Sequence, residues 1–164
     1  MAQIQCKAAT DRTPRRISGD DPALAAALSL IRAAFAGMDG RIDPPSSMHR
    51  LSLDDLADPG CEVWGIGNPL RACVVLTPRP ETLYLGKLAV SQAARGEGLA
   101  RCLVETAVHR ARGLGLPSLT LQVRVELTEN HATFARLGFA ETARTAHSGF
   151  DRPTSITMVR PVTP

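Results

Sequence analysis

The sequence predicts a mixed α/β fold, a sheet with helices on both of its faces. Three observations carry that reading. Short strand-like runs are grouped early, between Cys61 and Leu76. A strand, turn, helix, strand unit fills the middle, from Leu83 to Glu126. A hairpin-like pair of runs closes the chain, between Phe139 and Val159. Alternation with a period of two marks a strand, while apolar residues three and four apart mark a helix. Elements of both kinds, interleaved in this way, bury their apolar faces best as layers around one core. At 164 residues the chain has the size of one domain. We therefore read 1–164 as a single domain, in which residues 1–14 lack sustained periodicity and are expected to fray.

In chain order, Arg15-Arg16-Ile17 is read as a short first strand. Asp20-Asp21-Pro22 then supplies a carboxylate cap and a first-turn proline, a good helix start. That helix carries Leu24, Leu28, Ile31 and Phe35 on one face and ends at Gly37 and Gly40. Residues 37–47, stiffened by Pro44-Pro45, make a loop too long for a simple connector, and such loops are often functional. Ser46 or Ser47 is expected to cap a second helix bearing Met48, Leu51, Leu53 and Leu56, stopped by Asp58-Pro59-Gly60. Two strands follow, joined through Gly67-Asn68, and after the turn Thr77-Pro78-Arg79-Pro80 comes the buried strand Leu83–Val90. Past Gly98, Leu99, Leu103, Ala107, Ala111 and Leu114 form a helical stripe. Leu119, Leu121, Val123 and Val125 then alternate with Thr120, Gln122, Arg124 and Glu126. A short helix from Asn130 leads into the closing hairpin.

Composition narrows the functional classes. Hydrophobic residues make up 44% and charged residues 21%, which is ordinary for a soluble globular chain. A formal charge of +3 favours an anionic small ligand. No basic stripe interleaved with aromatics is present, so nucleic acid is not an expected partner. Cys6, Cys61, Cys73 and Cys102 share no close spacing, which argues against a metal site or a disulfide framework. Free thiols suit a reducing cytosol. The apolar run Ala23–Ala36 is short and broken by Ser29 and Arg32, too short to span a bilayer. The expectation is a cytoplasmic protein without metal or membrane contact.

The most informative stretch joins the central strand to the long helix: Arg95-Gly96-Glu97-Gly98-Leu99-Ala100. Glycines let a ligand approach the backbone closely. The first N–H groups of a helix lack internal partners and attract phosphate, and Arg95 adds a fixed cation with a planar donor fork. A Gly-Lys-Ser/Thr ending for a nucleotide loop is missing, and the dinucleotide fingerprint would need another glycine at a different spacing.

This turn resembles the acetyl-CoA signature of the GNAT acyltransferases, Gln/Arg-x-x-Gly-x-Gly/Ala. Leu88-Ala89-Val90 lies where that superfamily has its Leu-x-Val strand end. Downstream, Asn130-His131-Ala132-Thr133-Phe134-Ala135-Arg136-Leu137-Gly138-Phe139 is similar to its Asn…Tyr-x-x-x-Gly-Phe segment. The resemblance covers residues 60–160 well and the N-terminal part by layout. It implies a mixed, mostly antiparallel central sheet flanked by helices on both faces. It also implies an N-acetyltransferase that uses acetyl-CoA as cosubstrate and acts on a primary amine of a small molecule by direct attack on the thioester. A protein N-terminus or lysine as acceptor, or a non-catalytic CoA sensor, are the alternatives. A homodimer is left open.

The resemblance also assigns roles. Backbone at Leu88, Ala89 and Val90 would pair with the pantetheine amides. Arg95, Gly96, Glu97, Gly98, Leu99 and Ala100 would hold the pyrophosphate, with Asn130 and Phe134 beside the CoA arm. Asn130 could equally cap its helix. The first two helices and their loop would form the acceptor wall, making Asp39, Arg41, Asp43, Ser46, His49 and Arg50 candidates. One departure stands out. Phe134 occupies the place where many members have a tyrosine acid, and phenylalanine has no proton to give. The proton-transfer groups therefore stay open among Tyr84, Glu62, His49 and Glu126. For His109, His131 and His147 a surface or satisfied role is favoured, His109 supported by Glu105 one turn away, while a His or Glu acting as base through water stays open.

Overall fold

The structure, a computed structural model, describes residues 12–163, without the side chains of Met48 and His49. The expectation that residues 1–14 fray falls mostly outside the described residues. The elements run β1 (Arg15–Ile17), α1 (Ala23–Ala36), α2 (Leu53–Ala57), β2 (Glu62–Ile66), β3 (Ala72–Pro78), β4 (Leu83–Val90) and α3 (Leu99–Gly113). β5 (Ser118–Arg124), α4 (Thr128–Arg136), β6 (Ala140–Thr145) and β7 (Ser155–Pro161) complete them. The strands form one sheet in the order β1-β2-β3-β4-β5-β7-β6. Every junction is antiparallel except the one between β4 and β5.

Each face of the sheet has its own core. On one, the α3 stripe Leu99, Leu103, Val104, Ala107, Val108 and Ala111 packs on Leu83, Leu85, Leu119, Leu121, Ile156 and Met158. On the other, Leu24, Ala27, Leu28 and Ile31 of α1, with Leu56 of α2, cover Val63, Cys73, Val75 and Ala89. Helices on both faces of a mostly antiparallel sheet are thus present as expected. At the start of α1 Pro22 holds the cap position in place of a carboxylate residue, while the Asp21 carboxylate accepts the Ala23 N–H at 2.9 Å. Among the described residues no helix is long and apolar enough to cross a membrane.

Two other helix starts differ from expectation. The second helix does not begin at Ser46 or Ser47: Ser47–Arg50 is a single 3₁₀ turn, and α2 starts at Leu53. Ser52 provides the reason, because its hydroxyl accepts from the Asp55 N–H while the Asp55 carboxylate accepts from the Ser52 N–H, a reciprocal capping box. The short helix begins at Thr128 rather than Asn130. Asn130 therefore lies within its first turn and leaves the cap position to Leu127.

The feature that positions the site is the β4–β5 junction. These parallel strands pair only at Leu83 with Leu119 and Tyr84 with Thr120, then diverge. A bulge coincides with the divergence: Leu76 faces Leu85 and Val75 faces Lys87, so Gly86 is the extra residue. A bulge bends its strand and sharpens the local twist. Beyond Tyr84 the sheet splits into a wedge, with β4 on one side and the β5–β7 half on the other.

Candidate active site

A cavity of about 860 Å³ occupies this wedge, bounded by β4 from Tyr84 to Val90 and by β5 from Leu121 to Arg124. Past Tyr84, β4 has no β5 partner, so the backbone along that edge needs hydrogen-bond partners from elsewhere. An extended chain bearing amides can supply them, as an added strand would.

The glycine turn closes one end. Gly96 and Gly98 have φ of +84° and +78°, a region that side chains rarely tolerate. A Cβ on Gly96 would meet nothing within 4 Å, and one on Gly98 only the Arg12 guanidinium at 3.7 Å. The space above both is therefore open to a ligand. Gly98 immediately precedes α3, whose first turn carries neither an acidic residue nor a side-chain cap. Its N-terminal N–H groups are left for an anion, and Arg95 and Arg101 line the same end. An open strand edge running into an anion-binding turn fits a ligand with an amide arm and a pyrophosphate.

Of the residues expected around the CoA arm, Leu88, Ala89, Val90, Arg95, Gly96, Gly98, Leu99, Ala100, Asn130 and Phe134 all line the cavity. Glu97 does not. It pairs with Arg71, whose hydrogen bond holds the Glu97 carboxyl below its ordinary range, and so braces the turn from behind. The Phe134 ring stands edge-on to Phe139, with centroids 5.9 Å apart and an interplanar angle of 77°. It borders the cavity as part of the core and bears no ionisable group.

At the other end Phe35, Met38 and Ile42 form an apolar wall, joined by Ser46 and Tyr84. Burial raises the Tyr84 phenol, opposed by the Arg79 guanidinium lying 3.9 Å from the ring centroid. Facing that wall are Arg124, His147 and Ser155, with Arg124 and Ser155 directly opposed in the β5–β7 ladder. Arg124 donates Nη2 to the Pro45 carbonyl at 3.3 Å, while its Nη1 is buried without a partner among the described residues. Glu126, which does not line the cavity, accepts the Asp43 N–H on Oε2 at 2.9 Å, and its Oε1 is buried without a partner among the described residues. Burial, with Arg124 adding to it and Glu126 opposing, lowers the His147 pKa and favours the neutral imidazole.

The loop 37–47 is strapped across the wedge. Besides those two bonds, Arg41 pairs with Glu129 at 2.5 Å and Asp43 with Arg152 at 3.4 Å. These contacts occupy several of the residues expected to meet an acceptor. Asp39, Arg41 and Arg50 do not line the cavity, whereas Ser46 does, and the His49 side chain lies outside the described residues. Glu62 is not in the cavity either. It is buried and accepts from Arg110 Nε and Nη2 at 2.9 Å and from Trp64 Nε1 at 3.0 Å. Burial pushes its pKa up, yet those hydrogen bonds outweigh it and hold Glu62 below its ordinary value. Glu105 supports Arg160, at 3.0 Å, instead of His109. His131 donates Nε2 to the Arg124 carbonyl at 2.8 Å and pins the end of β5.

Sequence reasoning did not name Arg124 or Ser155 as site residues, and it weighed His147 as a base while favouring a surface or satisfied role. Arg124 carried a signal as a charged member of the polar face of an alternating strand beside the central one.

The profile of the acetyltransferase (GNAT) family matches residues 28–139. Mycothiol acetyltransferase from Jonesia denitrificans is 36% identical over 77 residues, which is 47% of this chain and 24% of that protein. The match thus spans about a quarter of that relative's length. Among solved structures, the ribosomal-protein-S18-alanine N-acetyltransferase from Escherichia coli superposes with a TM-score of 0.68 at 21% identity, covering 92% of this chain and 94% of that one. A GNAT family acetyltransferase from Elizabethkingia anophelis with acetyl-CoA bound gives 0.65 at 16% identity, covering 91% and 97%. These two likenesses speak for the fold. With the family profile matching well over half of its length, the chain belongs to the acetyltransferase (GNAT) family.

Proposed function

We propose that this chain transfers an acetyl group from acetyl-CoA to the primary amine of a small molecule in the cytoplasm. The observation that carries the reading is the unpaired β4 edge leading into the Gly96–Gly98 turn and the open N-terminus of α3. Acetyl-CoA supplies the activated acyl group. The chain's part is to hold and to orient: β4 from Leu88 to Val90 along the amide arm, Arg95 and the turn N–H groups on the pyrophosphate, Asn130 and Phe134 alongside. Fixing both reactants in one cavity removes much of the entropic barrier of a bimolecular step. A roof tied down at Arg41, Asp43 and Pro45 favours a small acceptor over a polypeptide segment.

In the transfer the amine nitrogen bonds to the acyl carbon, the carbon–sulfur bond breaks, and one proton passes from nitrogen to sulfur overall. On this reading His147 accepts the amine's proton. Its backbone N–H and its Nδ1–H both donate to Thr154 Oγ1, which donates in turn to the Thr145 carbonyl. This assignment leaves Nε2 without a partner among the described residues, as a base requires. Phe134 has no proton for the leaving thiolate, so solvent provides it. That is tolerable because a thiol has a pKa of only about 8.5. Calorimetric titration with acetyl-CoA and CoA, together with thiol release over a panel of amines, tests the reading. Tight CoA binding with no turnover on any amine would favour the sensor reading that Phe134 keeps in play.

A further inference from the structure

Among the described residues, one buried polar atom of a cavity-lining side chain has no hydrogen-bond partner, Nη1 of Arg124. Arg124 lies on the cavity face of β5, and its bond to the Pro45 carbonyl fixes the guanidinium plane. Nη1 of that plane is buried and has no acceptor among the described residues. A guanidinium cannot shed its proton to escape such a position, so an unmet donor there carries its full desolvation penalty. The group that best meets a fixed guanidinium fork is a carboxylate. Ser155, opposite Arg124 in the ladder, lines the cavity and offers a second donor. Glu126, two residues on, does not line the cavity; its Oε2 accepts from the Asp43 N–H and its Oε1 is buried without a partner among the described residues. A fixed guanidinium on the cavity wall complements an acceptor that carries a carboxylate. It does not complement a polyamine or an aminoglycoside, whose charged groups are all cationic.

We propose that the acceptor is an amino acid or short peptide with a free carboxylate, and that Arg124 Nη1 binds that carboxylate. The inference rests on the acetyltransferase reading above and narrows its acceptor. The alternative is internal: Arg124 and Glu126 turn toward each other in solution and close as an ion pair. An acceptor's carboxylate would then bring no advantage.

Matched probes separate the two without any variant. L-amino acids and their carboxamides share an amine and a side chain and differ in the charge Arg124 would read. The native protein is expected to favour the acids about ten- to hundredfold in kcat/KM. In Arg124→Gln that preference should fall to near one, by a rise in KM for the acids, with the Kd for acetyl-CoA held. Arg124→Lys should keep part of it, because it restores a charge without the fork. Equal rates on acids and amides in the native protein would overturn the proposal. So would better turnover of peptides with amidated C-termini, or equal losses on both probes in Arg124→Gln. Should no amine be acetylated, the same probe pairs titrated against the acetyl-CoA-loaded protein still decide it by their ratio of Kd values. Activity would then have failed while the carboxylate site stood or fell separately.

Discussion

The cavity has two ends that are built in different ways. The end proposed for acetyl-CoA is drawn from one continuous stretch, Leu88 to Ala100, with Asn130 and Phe134 laid against it. The end proposed for the acceptor takes Phe35 from α1, Tyr84 from β4, Arg124 from β5, His147 from the β6–β7 connection and Ser155 from β7. The first end works through backbone: an unpaired strand edge, two glycines at positive φ and the open start of a helix. The second works through side chains that only the sheet order brings together. Backbone recognition needs particular residue types in sequence, above all glycine, and so leaves a motif. Recognition by side chains from separate strands leaves none, and each position can change without disturbing the others.

If that contrast is right, the largest effect should come from one glycine. Gly98→Val introduces a branched side chain at φ +78°, where the protein itself offers room. Its cost to the fold is the strain of a left-handed residue, about 1–2 kcal/mol. Its cost to binding is the loss of close approach, and two phosphate hydrogen bonds are together worth about a hundredfold in affinity. Calorimetry should show acetyl-CoA affinity falling by that order, with a thermal shift matching the strain alone. Gly98→Ala should fall between. Native affinity in a folded Gly98→Val protein would remove the turn from the site.

The same contrast explains what the sequence made legible. Gly96, Gly98 and the alternation of Leu119 to Val125 act locally, so the central unit and the turn could be read directly. The capping box at Ser52 is also local, but Ser46 and Ser47 competed for the role and the 3₁₀ turn between them was not foreseen. Glu62 shows where local reading stops. A carboxylate on a strand reads as a possible base until Arg110, 48 residues away, is seen to hold it. Arg124 and Ser155 failed in the opposite direction, since neither has a neighbour in sequence that reveals the cavity.

Glu62 also yields the next prediction. Glu62→Gln should lower unfolding free energy by about 2 kcal/mol, a buried-pair loss discounted for the partly exposed Arg110. Rate constants of the folded enzyme should stay unchanged. The pH dependence has a definite sign. Because the folded pKa is depressed, Glu62's contribution is present above its unfolded value near 4.5 and is lost as pH falls through the lower folded value. The gap between native and variant protein in chemical denaturation should therefore close in acid. A collapse of kcat with stability intact would instead return Glu62 to the chemistry.

Phe134→Tyr probes the point where the two ends meet. With no phenol at the leaving group, the native rate should rise with pH as the acceptor amine and His147 lose their protons, then level off. His147, lowered by burial, should already be neutral at pH 7. A well-placed general acid is worth about 10²–10⁴-fold, and a grafted hydroxyl should recover a small part of it, with a new alkaline limb near pH 10, about a phenol's pKa. A native alkaline limb that survives Phe134→Ala would point to Tyr84, the single tyrosine of the chain.

The smallest effect is expected at Arg41, and it is the sharpest test of how the loop serves the acceptor. The resemblance made Arg41 a candidate for acceptor contact, whereas in the structure it pairs with Glu129, with both side chains about half exposed at 50% and 52%. Exposed pairs contribute little and are weakened by salt. Three other ties, through Asp43 and Pro45, would still hold the loop after Arg41→Ala. The acceptor KM should then rise by less than about threefold, the acetyl-CoA Kd should not change, and the small rise should fade at high salt, where the pair is screened in the native protein too. A tenfold or larger increase that persists in salt would mean that Arg41 itself touches the acceptor. The loop would then be a recognition element in its own right, and the acceptor end would extend further from β5 than Arg124 and His147 indicate.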